Sequence, residues 1–191
     1  MGRDALIILK QVKRTYPPLL QDMSIHYSQP KGFVGRNICY AIYVNDLYYG
    51  AIVGGSSTRH LAGRDEFFNW GKGEKKLNNI VNNIFYHVEK QDGKYPMRWF
   101  TVEILKQYKM KIEKDWLDKY GDEVIGHESL VELPRTGLCY KKAGWREVGM
   151  TKGFTCKRVA GKGTDAWSGK RVWDTNNLRP KRVFTIWAET H

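Results

Sequence analysis

Residues 137–149 read GLCYKKAGWREVG. The stretch predicts a short, half-apolar helix carrying Tyr140, a stop at Gly144 and a strand opening at Trp145. One reading of Tyr140 is packing: Leu138, Cys139 and Ala143 face a core while the phenol reaches for water. The other is that the turn points a phenol at a reaction centre. Working outward, DEVIGHESLVEL (122–133) is strand-like before the helix and WREVGMTKGF (145–154) strand-like after it. The unit is therefore strand, helix, strand.

Further upstream, NICYAIYV (37–44) is rich in β-branched and aromatic residues, Asn45-Asp46 is a turn, and LYYGAIVGG (47–55) returns, which predicts a hairpin. In KKLNNIVNNIFYHV (75–88), Leu77, Ile80, Val81 and Ile84 fall at helical spacing, leading into an extended piece. The stretch 97–121 puts Phe100, Ile104, Leu105 and Tyr108 on one face, followed by Ile112, Trp116 and Leu117, and predicts one long or two short helices ended at Gly121. Leu6 to Leu9 suits a short strand or helix, and the prolines of TYPPLL (15–20) break regular structure. RVFTIWAE (182–189) closes as a strand whose Phe184 and Trp187 fill the core. This order predicts a mixed α/β (α+β) fold around one sheet, a single domain over 1–191 with a basic, aromatic C-terminal segment at 152–191. The loop 160–180 is long for a compact domain.

The chain has 191 residues, 41% of them hydrophobic, enough for one real core. No run of 18 apolar residues exists, so no membrane span is expected. The five-residue apolar stretch near the N-terminus is too short for a signal peptide, and Leu6 stands where a myristoylation signal needs Ser or Thr. The expected location is the cytoplasm. Cys39, Cys139 and Cys156 lack metal-ligand or disulfide spacing and read as buried thiols.

The net charge is +12, which points to a polyanionic partner. Between Lys152 and Arg182 nine Lys or Arg stand against two Asp, so more than half the surplus lies in 31 residues. There Trp167 and Trp173 interleave with Arg158, Lys162, Lys170, Arg171, Arg179, Lys181 and Arg182, charges for phosphates beside rings for bases. These residues are the expected DNA contacts. Arg59, His60, Arg64 and Asp65 follow Gly54-Gly55-Ser56-Ser57. That turn suits an anion, though a hairpin exit leading into a helix, with Arg64 and Asp65 as a structural pair, fits better. His87 and His127 have no ligand-spaced partners.

The pattern Tyr140-Lys-Lys-Ala-Gly144-Trp145 resembles the Y-x-x-x-G-F ending of the GNAT acetyltransferase superfamily. The resemblance implies a GNAT-like fold, a mostly antiparallel central sheet flanked by helices. It also implies that Tyr140 protonates a departing thiolate. The superfamily's R/Q-x-x-G-x-G/A pyrophosphate loop is not found upstream of Tyr140. Its letters recur only at Arg158–Gly163, downstream and with no helix after them. A coenzyme A-type donor is thus left open.

Segments 60–70, 77–85, 115–124 and 128–153 also resemble the DruA-like family of anti-phage defence components, although no arginine follows Asn82-Asn83 as that pattern has it. His26-Tyr27-Ser28, the CYKKAGW segment and the tail GKRVWDTNNLRPKRVF (169–184) resemble Mom-type phage proteins, which modify adenine in phage DNA against restriction. This resemblance implies a transferase adding a small group, carbamoylmethyl or acyl-type, to adenine N6 from a small-molecule donor. In it His26 is a base or metal ligand, Tyr27 positions substrate, Ser28 completes the triplet and Glu132 matches an acidic position beside Tyr140. Iron or zinc bound by His26, Glu132 and a third, distant side chain stays open. The alternatives are a non-enzymatic DruA-like DNA-binding module and a plain acyl-CoA N-acetyltransferase.

Overall fold

The computed structural model describes residues 6–70, 76–89, 98–159, 170–174, 176 and 178–189; for Arg98, 155–159 and 170–174 it describes the backbone alone. The elements run β1 (Ile7–Val12), α1 (Pro17–Ile25), β2 (Asn37–Val44), β3 (Leu47–Ser56), α2 (Ala62–Phe67), a 3-10 turn (Leu77–Asn79), β4 (Ile80–Val88), α3 (Arg98–Tyr120), β5 (Gly126–Glu132), α4 (Leu138–Lys142), β6 (Arg146–Met150), β7 (Thr155–Val159), β8 (Lys170–Asp174) and β9 (Lys181–Trp187). Seven strands form one sheet in the order β1-β2-β3-β4-β5-β9-β6. Every neighbouring pair is antiparallel except β4 and β5. β7 and β8 pair as a separate two-stranded sheet, so residues 170–174 of the expected long loop are a strand.

The β2–β3 hairpin turns on Asn45 and Asp46, both at positive φ (47° and 64°), as a two-residue loop matched to strand twist requires. Pro17 and Pro18 begin α1 rather than breaking structure, because the first helical turn needs no N–H donors. The larger correction concerns residues 77–84, which form a 3-10 turn and the first part of strand β4 and not a helix; the extended piece expected after them is the rest of β4. Ile80, Val81, Asn82 and Asn83 are all buried, so neither face is solvated. A strand enclosed on both sides reads as a near-continuous run in which helical spacing arises by coincidence.

α3 is one helix of 23 residues, stopped at Gly121 (φ 71°). It lays Phe100, Ile104, Leu105, Tyr108, Ile112 and Trp116 across one face of the sheet, against Ile38, Tyr40, Ile42 and Val81. Each such side chain stabilises the fold by about 1.5–3 kcal/mol. A smaller core on the opposite face joins Leu19 and Met23 of α1 to Cys39, Val53 and Phe85. In β9 Phe184 is fully buried, as expected, but Trp187 is 41% exposed and rests edge-on against Phe68. Cys39 is buried and Cys139 half-buried, both free. Among the described residues no helix is long and apolar enough to cross a membrane.

Gly137 sets where α4 begins. Its φ is 63°, and a Cβ there would lie 2.3 Å from Cε2 of the buried Phe184. Gly137→Ala is expected to destabilise the fold by about 2–4 kcal/mol, from the left-handed backbone together with the clash. Urea unfolding measures this; an unchanged midpoint would mean that Phe184 yields freely.

Candidate active site

β4 and β5 run parallel through only four rungs, Ile80–Asn83 against Gly126–Ser129, although both strands continue. On the other edge of β4, Val53 pairs with Phe85 and Gly54 with Asn83, which leaves Ile84 as a bulged residue. A bulge bends its strand, and here it falls where β4 parts from β5. The two strands then line a cleft of about 470 Å³, with Ile84, Phe85 and Tyr86 on one wall and Leu130 and Val131 on the other. Tyr140, Arg135, His26 and Tyr27 also line it.

Tyr140 reaches the cleft because α4 is packed there by stacking on Phe184 (5.5 Å) and by an edge contact with Trp145 (5.1 Å). Its hydroxyl donates to Asn83 Oδ1 at 2.5 Å. Asn83 Nδ2 in turn donates to the carbonyls of Val53 and Phe85, which fixes the amide. Burial pushes the ionisation of Tyr140 well above the usual phenol range, so the group enters any reaction with its proton on. The side chain is both packed and aimed.

His26 caps the C-terminal end of α1, its N–H donating to the Asp22 carbonyl. The ring lies against Tyr27 (4.2 Å) and Phe85 (4.6 Å). Its Nδ1 receives the Ser28 N–H at 3.3 Å and faces the Ser28 hydroxyl at 2.8 Å. Burial, with His87 nearby, lowers the His26 pKa to about 4, so the imidazole is neutral at pH 7. Arg135 stacks over Tyr27 with its guanidinium carbon 3.4 Å from the ring centroid.

Beside the cleft, sharing Leu130 with it, lies a second, wider pocket of about 660 Å³. Strand alternation decides what enters it: Ser129 and Val131 face the cleft, whereas Glu128 and Glu132 face this pocket. Glu132 therefore does not line the cleft beside Tyr140. It meets Arg179 (3.8 Å) and Lys181 (3.9 Å) instead. Arg59, Lys152 and the half-exposed ring of Phe154 complete a basic rim. Ser28 lines this pocket and His26 the cleft, so their hydrogen bond links the two.

Of the expected DNA contacts, Arg179 and Lys181 reach the pocket, while Arg182 is tied to Glu147 on β6 at 2.6 Å. Lys162 and Trp167 lie outside the described residues. Arg158, Lys170, Arg171 and Trp173 sit on β7 and β8, whose side chains are not described. Arg64 and Asp65 are a structural pair (2.7 Å). His87, expected to stand without ligand partners, comes together with Asp22 and Glu89. Asn83, Ser129 and Arg135 were not anticipated as site residues. The available signal for Asn83 was two adjacent asparagines inside a strand, where they are disfavoured.

No family model matches the chain, and no curated protein is similar to it in sequence. Solved structures do match. A Bacillus subtilis acetyltransferase in complex with CoA covers 96% of this chain and 99% of its own, at TM-score 0.52 and 11% identity. Arabidopsis thaliana NAA60 in complex with a bisubstrate analogue matches over 97% and 100%, at TM-score 0.53 and 11% identity. FeeM, an N-acyl amino acid synthase from uncultured soil microbes, matches over 94% of each chain, at TM-score 0.53 and 10% identity. The architecture is that of the GNAT acetyltransferases.

Proposed function

We propose that the chain is a GNAT-type transferase that adds a small group to the N6 amine of adenine in DNA. One observation carries this reading: the cleft holding the Tyr140 phenol lies beside a basic pocket with an exposed phenylalanine, and the Ser28–His26 hydrogen bond joins the two. The residues that resemble the Mom-type pattern thus divide between a donor side and an acceptor side. A flipped adenine stacks on Phe154 while Arg59, Lys152, Arg179 and Lys181 hold the flanking phosphates.

The donor lies between the parted ends of β4 and β5, whose facing backbones do not pair with each other beyond Asn83 and Ser129. The sequence between β4 and α3 carries no R/Q-x-x-G-x-G/A motif for a pyrophosphate, so the donor is named here only as a small-molecule carrier of the group. A donor seated there supplies the electrophilic carbon. The adenine N6 lone pair forms the new N–C bond, and the bond from that carbon to the leaving atom breaks. The Tyr140 hydroxyl gives its proton to the leaving atom. The amine's proton passes through the Ser28 hydroxyl to His26 Nδ1, which is neutral and able to take it.

A plain N-acetyltransferase is the second reading, favoured by the fold and by the CoA-bound neighbour. Nucleoside mass spectrometry of DNA from cells expressing the protein separates the two. A mass increment on deoxyadenosine is expected. Unmodified nucleosides with an acylated small amine in the extract would establish the second reading. Unmodified nucleosides from a DNA-retaining protein would point to a DruA-like binding module.

A further inference from the structure

We propose that Asp22, His87 and Glu89 bind a divalent first-row transition-metal ion on the α1 face of the sheet. The three offer ligand atoms all within 4.8 Å of one another. Asp22 projects from α1; His87 lies on β4 and Glu89 one residue past its end, where its N–H still donates to the Tyr49 carbonyl, so the two share a face. Ligands held about 2.1 Å from one ion stand roughly 3–4 Å apart. The half-buried Glu89 side chain would close the remaining gap by rotating.

Two independent features mark this cluster. Asp22 is fully buried, and its Oδ1 has no hydrogen-bond partner. The Nε2 of His87 is also buried without a partner. The other Asp22 oxygen accepts the Tyr48 hydroxyl at 2.6 Å, an outer contact that orients a ligating carboxylate. Among the described residues no Lys or Arg pairs with either carboxylate, in a protein of net charge +12. Two acids and an imidazole, gathered with no basic partner among the described residues, suit a cation; without one, Asp22 and Glu89 meet carboxyl to carboxyl. One nitrogen and two oxygens select Zn²⁺, Fe²⁺, Co²⁺ or Mn²⁺ over Mg²⁺.

Bound there, the ion ties α1 to β4 one helical turn before His26, whose N–H already bonds to the Asp22 carbonyl. It would thereby fix the triplet at residues 26–28 against the sheet. The inference stands apart from the transfer reaction, and its test measures no transfer.

The test is Co²⁺ titration of the chelator-stripped full chain. A visible d–d band saturating at one ion per chain, displaced by Zn²⁺, is expected. His87→Ala and Glu89→Gln should each weaken binding by more than about 10-fold, with far-UV circular dichroism unchanged. Glu89→Gln, at a half-buried strand end, keeps the comparison meaningful should His87→Ala misfold. No band, or a band of equal strength in both variants, overturns the site. So does a band lost in His26→Gln and kept in His87→Ala, which would place the ion in the cleft.

Discussion

Replacing Tyr140 by phenylalanine is expected to lower base modification by about 10²–10⁴-fold, the range for removing a positioned general acid, with DNA retention unchanged. The phenol is buried, neutral and held at 2.5 Å on Asn83, so its proton sits at the floor of the cleft. Phenylalanine keeps the stacking on Phe184 and the edge contact with Trp145 but removes the proton. It also leaves Asn83 Oδ1 without its partner, for which about 1–3 kcal/mol of stability should be lost. Single-turnover kinetics beside urea unfolding tells the two effects apart. If stability falls while the rate of transfer holds, Tyr140 is a packing residue and the leaving group finds its proton elsewhere.

The unit around that tyrosine was the most legible part of the chain. GLCYKKAGWREVG carries its helix, its stop at Gly144 (φ 90°) and the following strand within thirteen residues, all by local chemistry. The β2–β3 hairpin and α3 were readable for the same reason: a two-residue turn and a long apolar stripe are local signals. β4 was not, because its pattern depends on both faces of the sheet being covered, by α3 on one side and α1 on the other. The site suffered similarly. Glu132 looked like a partner for Tyr140, but a strand's two-residue period sends it to the other face. Asp22 and His87 had no common spacing to betray them, since α1 and β4 meet only when the sheet forms. Arg64 was readable as half of a pair with Asp65, yet its more consequential partner lies on β5.

That partner, Glu128, sets the second large effect: Arg64→Ala is expected to cost about 3–5 kcal/mol of stability. Arg64 is fully buried on α2 and donates to Glu128 Oε2 at 2.6 Å, Ser57 Oγ at 2.6 Å, Asp65 Oδ1 at 2.7 Å and the Arg59 carbonyl at 2.8 Å. Glu128 is 2% exposed, and burial already raises its pKa against the pull of Arg64. Removing the guanidinium strands a carboxylate in the interior, so breaking the pair is far worse than never having had it. Lysine does not substitute, because a single ammonium cannot replace a planar fork serving four acceptors. The double variant Arg64→Met with Glu128→Leu is expected to recover most of the loss, since both charges then leave together. Position makes the pair matter beyond stability. Glu128 stands opposite Asn82, one rung before the last pairing of β4 with β5, so the pair clamps α2 at the point where the cleft opens. The double variant should therefore fold well yet transfer poorly. Guanidinium unfolding and transfer rates on the same three variants decide it: if the single and double variants are equally unstable, Arg64 acts through Ser57 and Asp65, and the clamp on β5 is not what holds the cleft.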